Sequence, residues 1–187
     1  MKRVLAIVVL AVLLAAGVVA AVLWGEIAVF RDTPYGSHEE KVVNVPSGAS
    51  ARAVVRVLAH AGVLSDERSA WRYVRWVKRD HRPFRAGEYS FTGPLLPDEV
   101  LERVWRGDVK LHRFTVPEGM RADEIAAIVG RSGLVTEDAF LHAARDPALA
   151  RALGVPFDTL EGFLFPDTYS FPRGVDARGV AEAMVSR

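Results

Sequence analysis

The sequence contains no cysteine, and its formal net charge is only +1. Without cysteine there is no disulfide framework, no thiolate zinc site and no thiol nucleophile. The five histidines are scattered, and none has the spacing of a metal ligand relative to another histidine or a carboxylate. The near-neutral charge gives no electrostatic basis for binding nucleic acid. We therefore expect no zinc, haem or thiol-nucleophile chemistry and no nucleic-acid partner.

Hydrophobic residues form one unbroken run at the N-terminus, over residues 4–24. As a helix rising about 1.5 Å per residue, this run matches a hydrocarbon core roughly 30 Å thick. Lys2 and Arg3 precede it, so the positive-inside rule predicts a short cytoplasmic tip (1–3) and an extracytoplasmic remainder. We expect a retained single-pass anchor in the cell membrane. A cleaved signal sequence and a buried helix of a soluble domain are the alternatives.

A polar segment over 25–40 is predicted to connect this anchor to a region in which one pattern occurs twice. Each copy has a candidate strand, a Pro-x-Gly turn, an amphipathic helix and a final glycine. The copies align without a gap at a shift of 71 residues, and the matched pairs are Val45 and Val116, Pro46 and Pro117, Gly48 and Gly119, Ala51 and Ala122, and Gly62 and Gly133. With the strands and helices around them, these copies predict an α+β fold.

The stretch TLEGFLFPDTYSFP, residues 159–172, combines two carboxylates with several aromatic rings. Such a combination suits cleavage of a glycosidic bond, because an apolar setting can keep one carboxyl group protonated and rings can stack on sugars. The other interpretation is structural: the rings form core, Asp167 caps a turn, and Glu161 accepts hydrogen bonds from backbone amides. The residues alone leave both interpretations open. Glu118, in the turn of the second repeat, would join a site if both segments faced one groove.

Basic residues cluster in and after a predicted helix over 67–79, and they are Arg72, Arg75, Lys78, Arg79 and Arg82. A solvated helix face is the ordinary explanation for such a cluster. A contact with anionic lipid headgroups or cell-wall polymer is the alternative.

Four features occur in a fixed order along the chain: the N-terminal span, FRAGEYSF, VPEGMRADEIA and LEGFLFPDTY. Together they resemble the YceG-like family of endolytic murein transglycosylases. The most specific element is 161–169, supported by 85–89 and 117–120. The resemblance implies an inner-membrane enzyme with a LysM-like βα subdomain over 41–112. It also implies that 113–187 is the first, incomplete part of an α+β catalytic domain, and that no metal or organic cofactor is needed.

The reaction implied by the resemblance cuts nascent peptidoglycan strands between N-acetylmuramic acid and N-acetylglucosamine without consuming water. One glutamate protonates the leaving oxygen and assists attack by the muramyl C6 hydroxyl, which gives 1,6-anhydro ends. Such cuts terminate glycan elongation. The implied partners are glycan strands and the membrane, with cell-wall synthesis enzymes as further candidates.

The catalytic glutamate of the family belongs to a Ser-Ile-[Ile/Val]-Glu-Lys-Glu-Thr segment that is not found here. We therefore expect that residue beyond Arg187, and we expect the chain to be inactive as it stands. The resemblance then makes 161–169 part of the wall of a glycan groove, whose candidate residues are Glu118, Glu161, Phe163, Phe165, Asp167 and Tyr169. The alternative function is a non-catalytic, membrane-tethered module that binds peptidoglycan or acts as a scaffold.

Overall fold

The computed structural model describes residues 2–78 and 82–187 and divides the chain into two compact units. Unit 1 is Met1–Asp108, and unit 2 is Val109–Arg187. The predicted boundary, between 112 and 113, lies slightly later in the chain. Each unit combines helices with a two-stranded antiparallel sheet, which confirms the α+β class.

The elements of unit 1 are α1 (Lys2–Asp32), β1 (Lys41–Val45), α2 (Ala51–His60), α3 (Glu67–Arg72), a π-helix that continues α3 (Tyr73–Lys78), β2 (Gly87–Phe91) and α4 (Pro97–Arg106). Those of unit 2 are β3 (Leu111–Thr115), α5 (Ala122–Arg131), α6 (Glu137–Ala144), α7 (Pro147–Ala152), β4 (Thr168–Pro172) and α8 (Ala177–Val185). After α1, both units therefore follow the order strand, helices, strand, helix.

Helix α1 is longer than the apolar run that predicted it. Its most apolar window of 18 residues has a mean hydropathy of 3.1, and none of that window is buried. By length and composition the helix fits a single-pass membrane anchor, and an N-terminal signal sequence would fit the same length and hydropathy. The helix continues to Asp32, so the predicted connector is wrong for residues 25–32. There Ile27 and Phe30 are buried, at 3 % and 5 % exposure.

The core of unit 1 lies between its sheet and its helices. Because side chains alternate along a strand, the antiparallel pairing of Val43 with Tyr89 places one face of both strands inside. The Oγ of Ser50 accepts a hydrogen bond from the backbone N–H of Ala53 at 3.3 Å and so caps α2. The buried hydrophobic residues of the sheet, α2 and α4 are Val43, Val45, Val54, Val55, Leu58, Tyr89, Phe91, Val100, Leu101, Val104 and Trp105.

The predicted repeat is present as structure. Helices α2 and α5 have ten residues each and begin at the aligned residues Ala51 and Ala122. The turn glycines Gly48 and Gly119 have φ values of 73° and 78°, a left-handed conformation that only glycine adopts without steric cost. Both copies therefore enter their helix through the same kind of turn.

The likeness of the two units extends beyond the predicted repeat. The hydroxyls of Tyr89 in β2 and Tyr169 in β4 each donate to a carbonyl oxygen four residues earlier, at 2.8 Å in both cases. The following helices, α4 and α8, each begin eight residues after their tyrosine. The second half of each unit, which is the tyrosine strand and the helix after it, recurs at a distance of 80 residues. The first half, which is the strand–turn–helix repeat, recurs at 71 residues, because unit 2 contains α7 and a longer loop before β4. A gapless alignment of the sequence therefore does not match the two tyrosine strands.

Candidate functional site

Two segments of unit 2 that are distant in sequence meet at the start of α5. One is the turn over 117–120, and the other runs over 156–167. Both carboxylate oxygens of Glu161 accept from the backbone N–H of Ala122, at 3.2 and 3.3 Å. Ala122 is the first residue of α5, where N–H groups have no partner within the helix and the helix dipole is positive. Glu161 therefore attaches the second segment to α5, the helix that follows the turn over 117–120.

A tight turn holds the backbone at Glu161. Leu160 is completely buried, and its N–H donates to the carbonyl oxygen of Ala144 at 2.8 Å. Gly162 has a φ of 80°, and the N–H of Phe163 donates back to Leu160 at 3.0 Å. The core thus fixes the residue before Glu161, and the glycine turns the chain directly after it.

Asp167 joins the same segment to the sheet and to Arg187, which follows α8. Its carbonyl oxygen accepts from the N–H of Val116 at 2.9 Å, which prolongs the pairing of β3 with β4. Its carboxylate accepts from the N–H of Thr168 at 2.6 Å and lies 2.8 Å from the Nε of Arg187. Asp167 therefore organises the entry to β4, as the structural interpretation of the sequence expected.

Tyr169 is a core residue of unit 2 rather than part of a surface. Its side chain is only 4 % exposed, and its ring stacks on Phe114 at a centroid distance of 5.6 Å. Its hydroxyl donates to the carbonyl oxygen of Phe165 at 2.8 Å. Burial raises the pKa of Tyr169, and the charge of Asp167 adds to this effect. The ring supports the segment from below and has no free face for a ligand.

Three other rings of the segment reach its surface. Phe157 is 63 % exposed and Phe165 is 50 % exposed. Phe163 is half-buried against the core, and its ring centroid lies 5.9 Å from that of Phe157. Phe157 was not among the residues predicted for the site. Its position directly after Pro156, in a segment that forms no helix or strand, was the available signal for an exposed ring.

The structure thus places the six predicted groove residues in different environments. Glu161 and Asp167 accept backbone hydrogen bonds, Tyr169 is buried, and Phe163 and Phe165 contribute to a surface. Glu118 is exposed in the turn before α5, the element to which Glu161 is bonded. Exposed aromatic rings and carboxylates thus occur in the same segment, and sugar rings with their hydroxyl groups are a suitable ligand for such a combination of groups.

Other parts of the described chain offer fewer features of a ligand-binding site than this segment does. A shallow surface depression of about 400 Å³ lies along α6 and the start of α7, and it is lined by Asp138, Leu141, His142, Arg145, Asp146 and Pro147. It includes none of the groove candidates. Within residues 2–78 and 82–187, no group of three or more histidine, aspartate or glutamate side chains could hold a metal ion.

Proteins of known name resemble this chain over most of its length. It is 24 % identical over 181 residues to an endolytic murein transglycosylase of Streptococcus pneumoniae serotype 2, covering 82 % of this chain and 32 % of the relative. It is 26 % identical over 144 residues to an endolytic murein transglycosylase of Bacillus subtilis strain 168, covering 69 % of this chain and 39 % of the relative. The chain therefore spans only about a third of the length of these relatives.

A solved YceG-like protein from Listeria monocytogenes has 24 % sequence identity to this chain and a TM-score of 0.42, over 80 % of this chain and 54 % of that one. The sequence profile of the YceG-like family matches residues 43–187, from the third residue of β1 to the end of unit 2. Because this match extends over far more than half of the residues, the chain belongs to the YceG-like family.

Proposed function

We propose that this chain belongs to a membrane-anchored endolytic lytic transglycosylase of peptidoglycan. The enzyme would cut nascent glycan strands between N-acetylmuramic acid and N-acetylglucosamine and so terminate their elongation. The observation that carries the proposal is the family match together with the names of the relatives, which act on murein. The exposed rings of Phe157 and Phe165, which belong to the same segment as Glu161, are consistent with a glycan ligand.

The proposal assigns a part to each portion of the chain. Helix α1 anchors it in the inner membrane with the N-terminus in the cytoplasm, since the basic residues precede the apolar run. The strand–helix–helix–strand order of unit 1 supports a LysM-like subdomain, although its predicted extent of 41–112 is longer than the segment with that order. Unit 2 contributes the surface that binds the sugar rings. Enzymes of cell-wall synthesis are candidate partners.

Within this scheme, we assign the site carboxylates to binding and positioning. Glu161 is committed to Ala122, and Asp167 to Thr168 and Arg187. The proton transfers need a carboxyl group free to meet the glycosidic oxygen: it protonates that oxygen as the bond to the anomeric carbon breaks, and it then takes the proton of the attacking C6 hydroxyl. We propose that a glutamate outside residues 1–187 supplies this group.

Deletion of the coding sequence in the source bacterium tests the function. We expect longer glycan strands and fewer 1,6-anhydro-muramyl ends, measured by chromatography and mass spectrometry of purified peptidoglycan. Re-expression of the intact gene should restore both values. Unchanged strand length and unchanged anhydro ends after deletion would favour the alternative of a non-catalytic binding or scaffold module.

A binding experiment tests the assigned surface. Residues 1–187 in detergent would be mixed with uncrosslinked glycan strands, with Phe157→Ala and Phe165→Ala as variants. Loss of an anchoring ring at a binding surface commonly costs more than 1 kcal/mol, so we expect about tenfold weaker binding for each variant. Leu111→Ala, at a residue 49 % exposed on β3, is the matched control and should bind as the parent does. Anhydro ends in this mixture would contradict the proposal that a glutamate outside residues 1–187 performs the proton transfers.

A further inference from the structure

We propose that α3 and its π-helical continuation present a basic and aromatic stripe to the membrane surface, where it contacts anionic lipid headgroups. The stripe consists of Arg68, Arg72 and Trp76, with Arg75 at its edge. The inference rests on the proposal above that α1 is a retained membrane anchor. It concerns a second surface, in unit 1, and not the aromatic surface of unit 2.

The structure separates the basic cluster of the sequence into two groups. The Nζ of Lys78 lies 3.0 Å from Asp98, and the guanidinium of Arg82 lies 3.1 Å from Glu102. These two cations therefore belong to ion pairs with α4. Arg79 lies outside the described residues, and the remaining members of the cluster, Arg72 and Arg75, belong to the stripe.

The stripe lies on the side of the segment that faces away from the core. Residues 68, 72 and 76 recur every four positions, which is close to one turn of an α-helix and of the slightly wider π-helix. They therefore share one face. Arg68, Arg75 and Trp76 are exposed, Trp76 to 44 %. The opposite face packs inside unit 1 through Ala70, Tyr73 and Val74.

Helix α1 sets the height of this stripe above the hydrocarbon core. The Nη1 of Arg72 lies 2.5 Å from the carboxylate of Glu26, the first charged residue after the apolar run. Glu26 is two residues beyond Trp24, so it stands about 3 Å further along the helix axis. Ile27 and Phe30 are buried by unit 1, and lipid therefore cannot surround α1 from Ile27 onward. These positions put Arg72 at the level of the headgroups, which extend roughly 5–8 Å outside the hydrocarbon core.

The chemistry of the stripe fits an anionic lipid surface. Glu26 balances the charge of Arg72, and Arg68 and Arg75 are two further exposed cations of the same segment. Trp76 adds an aromatic ring of the kind that concentrates at membrane interfaces, as does Trp24 on α1. One arginine near an anionic membrane surface corresponds to about a fivefold preference for anionic over neutral lipid. Arg68 and Arg75 together should thus enrich anionic lipid strongly around the stripe.

The absence of cysteine allows a direct test with one attached fluorophore. The full chain with Trp76→Cys would be labelled with an environment-sensitive dye and reconstituted into nanodiscs. The discs would contain nitroxide-labelled phosphatidylglycerol in one series and nitroxide-labelled phosphatidylcholine in the other, at equal mole fraction. Val42→Cys, at a residue 45 % exposed on β1, is the control position. We expect severalfold stronger quenching at 76 than at 42, and stronger quenching by phosphatidylglycerol than by phosphatidylcholine.

Charge variants complete the experiment. Arg68→Gln and Arg75→Gln should each reduce the preference for phosphatidylglycerol by about fivefold, whereas Arg52→Gln, an exposed residue of α2, should leave it unchanged. Failure of the chain to co-purify with the nanodiscs would overturn the anchor and this inference together. Co-purification with equal quenching at 76 and 42, or with no preference between the lipids, would overturn the inference alone. Quenching lost on dilution of the protein at constant lipid would assign the stripe to a second copy instead.

Discussion

Replacing Glu161 by alanine tests whether this residue attaches the 156–167 segment to α5. The substitution removes the acceptor of the Ala122 N–H and a negative charge at the positive end of the helix. Losing a side-chain acceptor at a helix start costs about 1 kcal/mol, and losing an exposed charge near the dipole costs about 0.3–1 kcal/mol. Because Glu161 is exposed, water replaces part of both interactions, and we expect a total of about 1 kcal/mol.

Amide hydrogen exchange measures this effect where it occurs. The first-turn amides of α5, from Ala122 to Glu124, should exchange about fivefold faster in Glu161→Ala, since 1.4 kcal/mol corresponds to a factor of ten. The amides of α2 in unit 1 form an internal reference, because that helix has the same length and the equivalent position in the repeat.

Two further variants separate the contributions to this effect. Glu161→Gln keeps an acceptor oxygen and removes the charge, so its exchange rates should fall between those of the parent and of Glu161→Ala. Glu118→Ala removes a carboxylate from the exposed turn before α5 and should change stability by less than about 0.5 kcal/mol. If Glu161→Ala leaves the first turn of α5 as protected as in the parent, or if Glu118→Ala has the same effect, the attachment by Glu161 is refuted.

Three other substitutions probe the packing. Burial raises the pKa of Tyr169, so the unfolded chain loses its tyrosine proton first as the pH rises through about 10, and the free energy of unfolding falls above that pH. In unfolding measured as a function of pH, Tyr169→Phe should reduce this alkaline loss, and it should cost about 1 kcal/mol at neutral pH because the hydroxyl hydrogen bond is removed. Phe30→Ala should destabilise unit 1 by about 3–5 kcal/mol and expose residues 25–40 to limited proteolysis, whereas an unchanged digest would show that α1 is not docked. Gly119→Ala meets no atom within 4 Å but keeps a φ of 78°, so it should cost about 1–2 kcal/mol by thermal unfolding through backbone strain alone.

The bounds of α2 and α5 could be predicted because local residues set them. Ser50 caps α2 from the preceding residue, and Gly62 and Gly133 reverse the chain after the two helices, so the pattern depends on neighbours in sequence. The end of α1 could not be predicted in the same way. Residues 25–32 contain polar side chains and a glycine, but packing of Ile27 and Phe30 against unit 1 favours helix over a flexible connector.

The candidate site also combines features that local sequence predicts with features that depend on tertiary packing. Its sequence predicted that carboxylates and aromatic rings would lie together, and it left open whether they serve binding or support. Phe163, Phe165 and Tyr169 occupy neighbouring positions of one motif, yet one is half-buried, one is exposed and one is in the core. Residue type does not determine that difference, because exposure depends on which face of the segment meets β3 and α8. The exposure of the Phe157 ring could not be predicted from sequence for the same reason.

By itself the sequence determined the apolar helix, the repeated strand–turn–helix and the family, because these follow from composition, local conformational preference and the order of short motifs. Only the tertiary structure decided that Glu161 bonds to Ala122, 39 residues away, and that Arg72 bonds to Glu26, 46 residues away. Contacts between such distant residues arise from the packing of whole elements, in which each side chain's partner is set by the arrangement of the others. That packing made Glu161 an attachment point for α5 and brought Arg72 of the basic stripe close to the end of the apolar run.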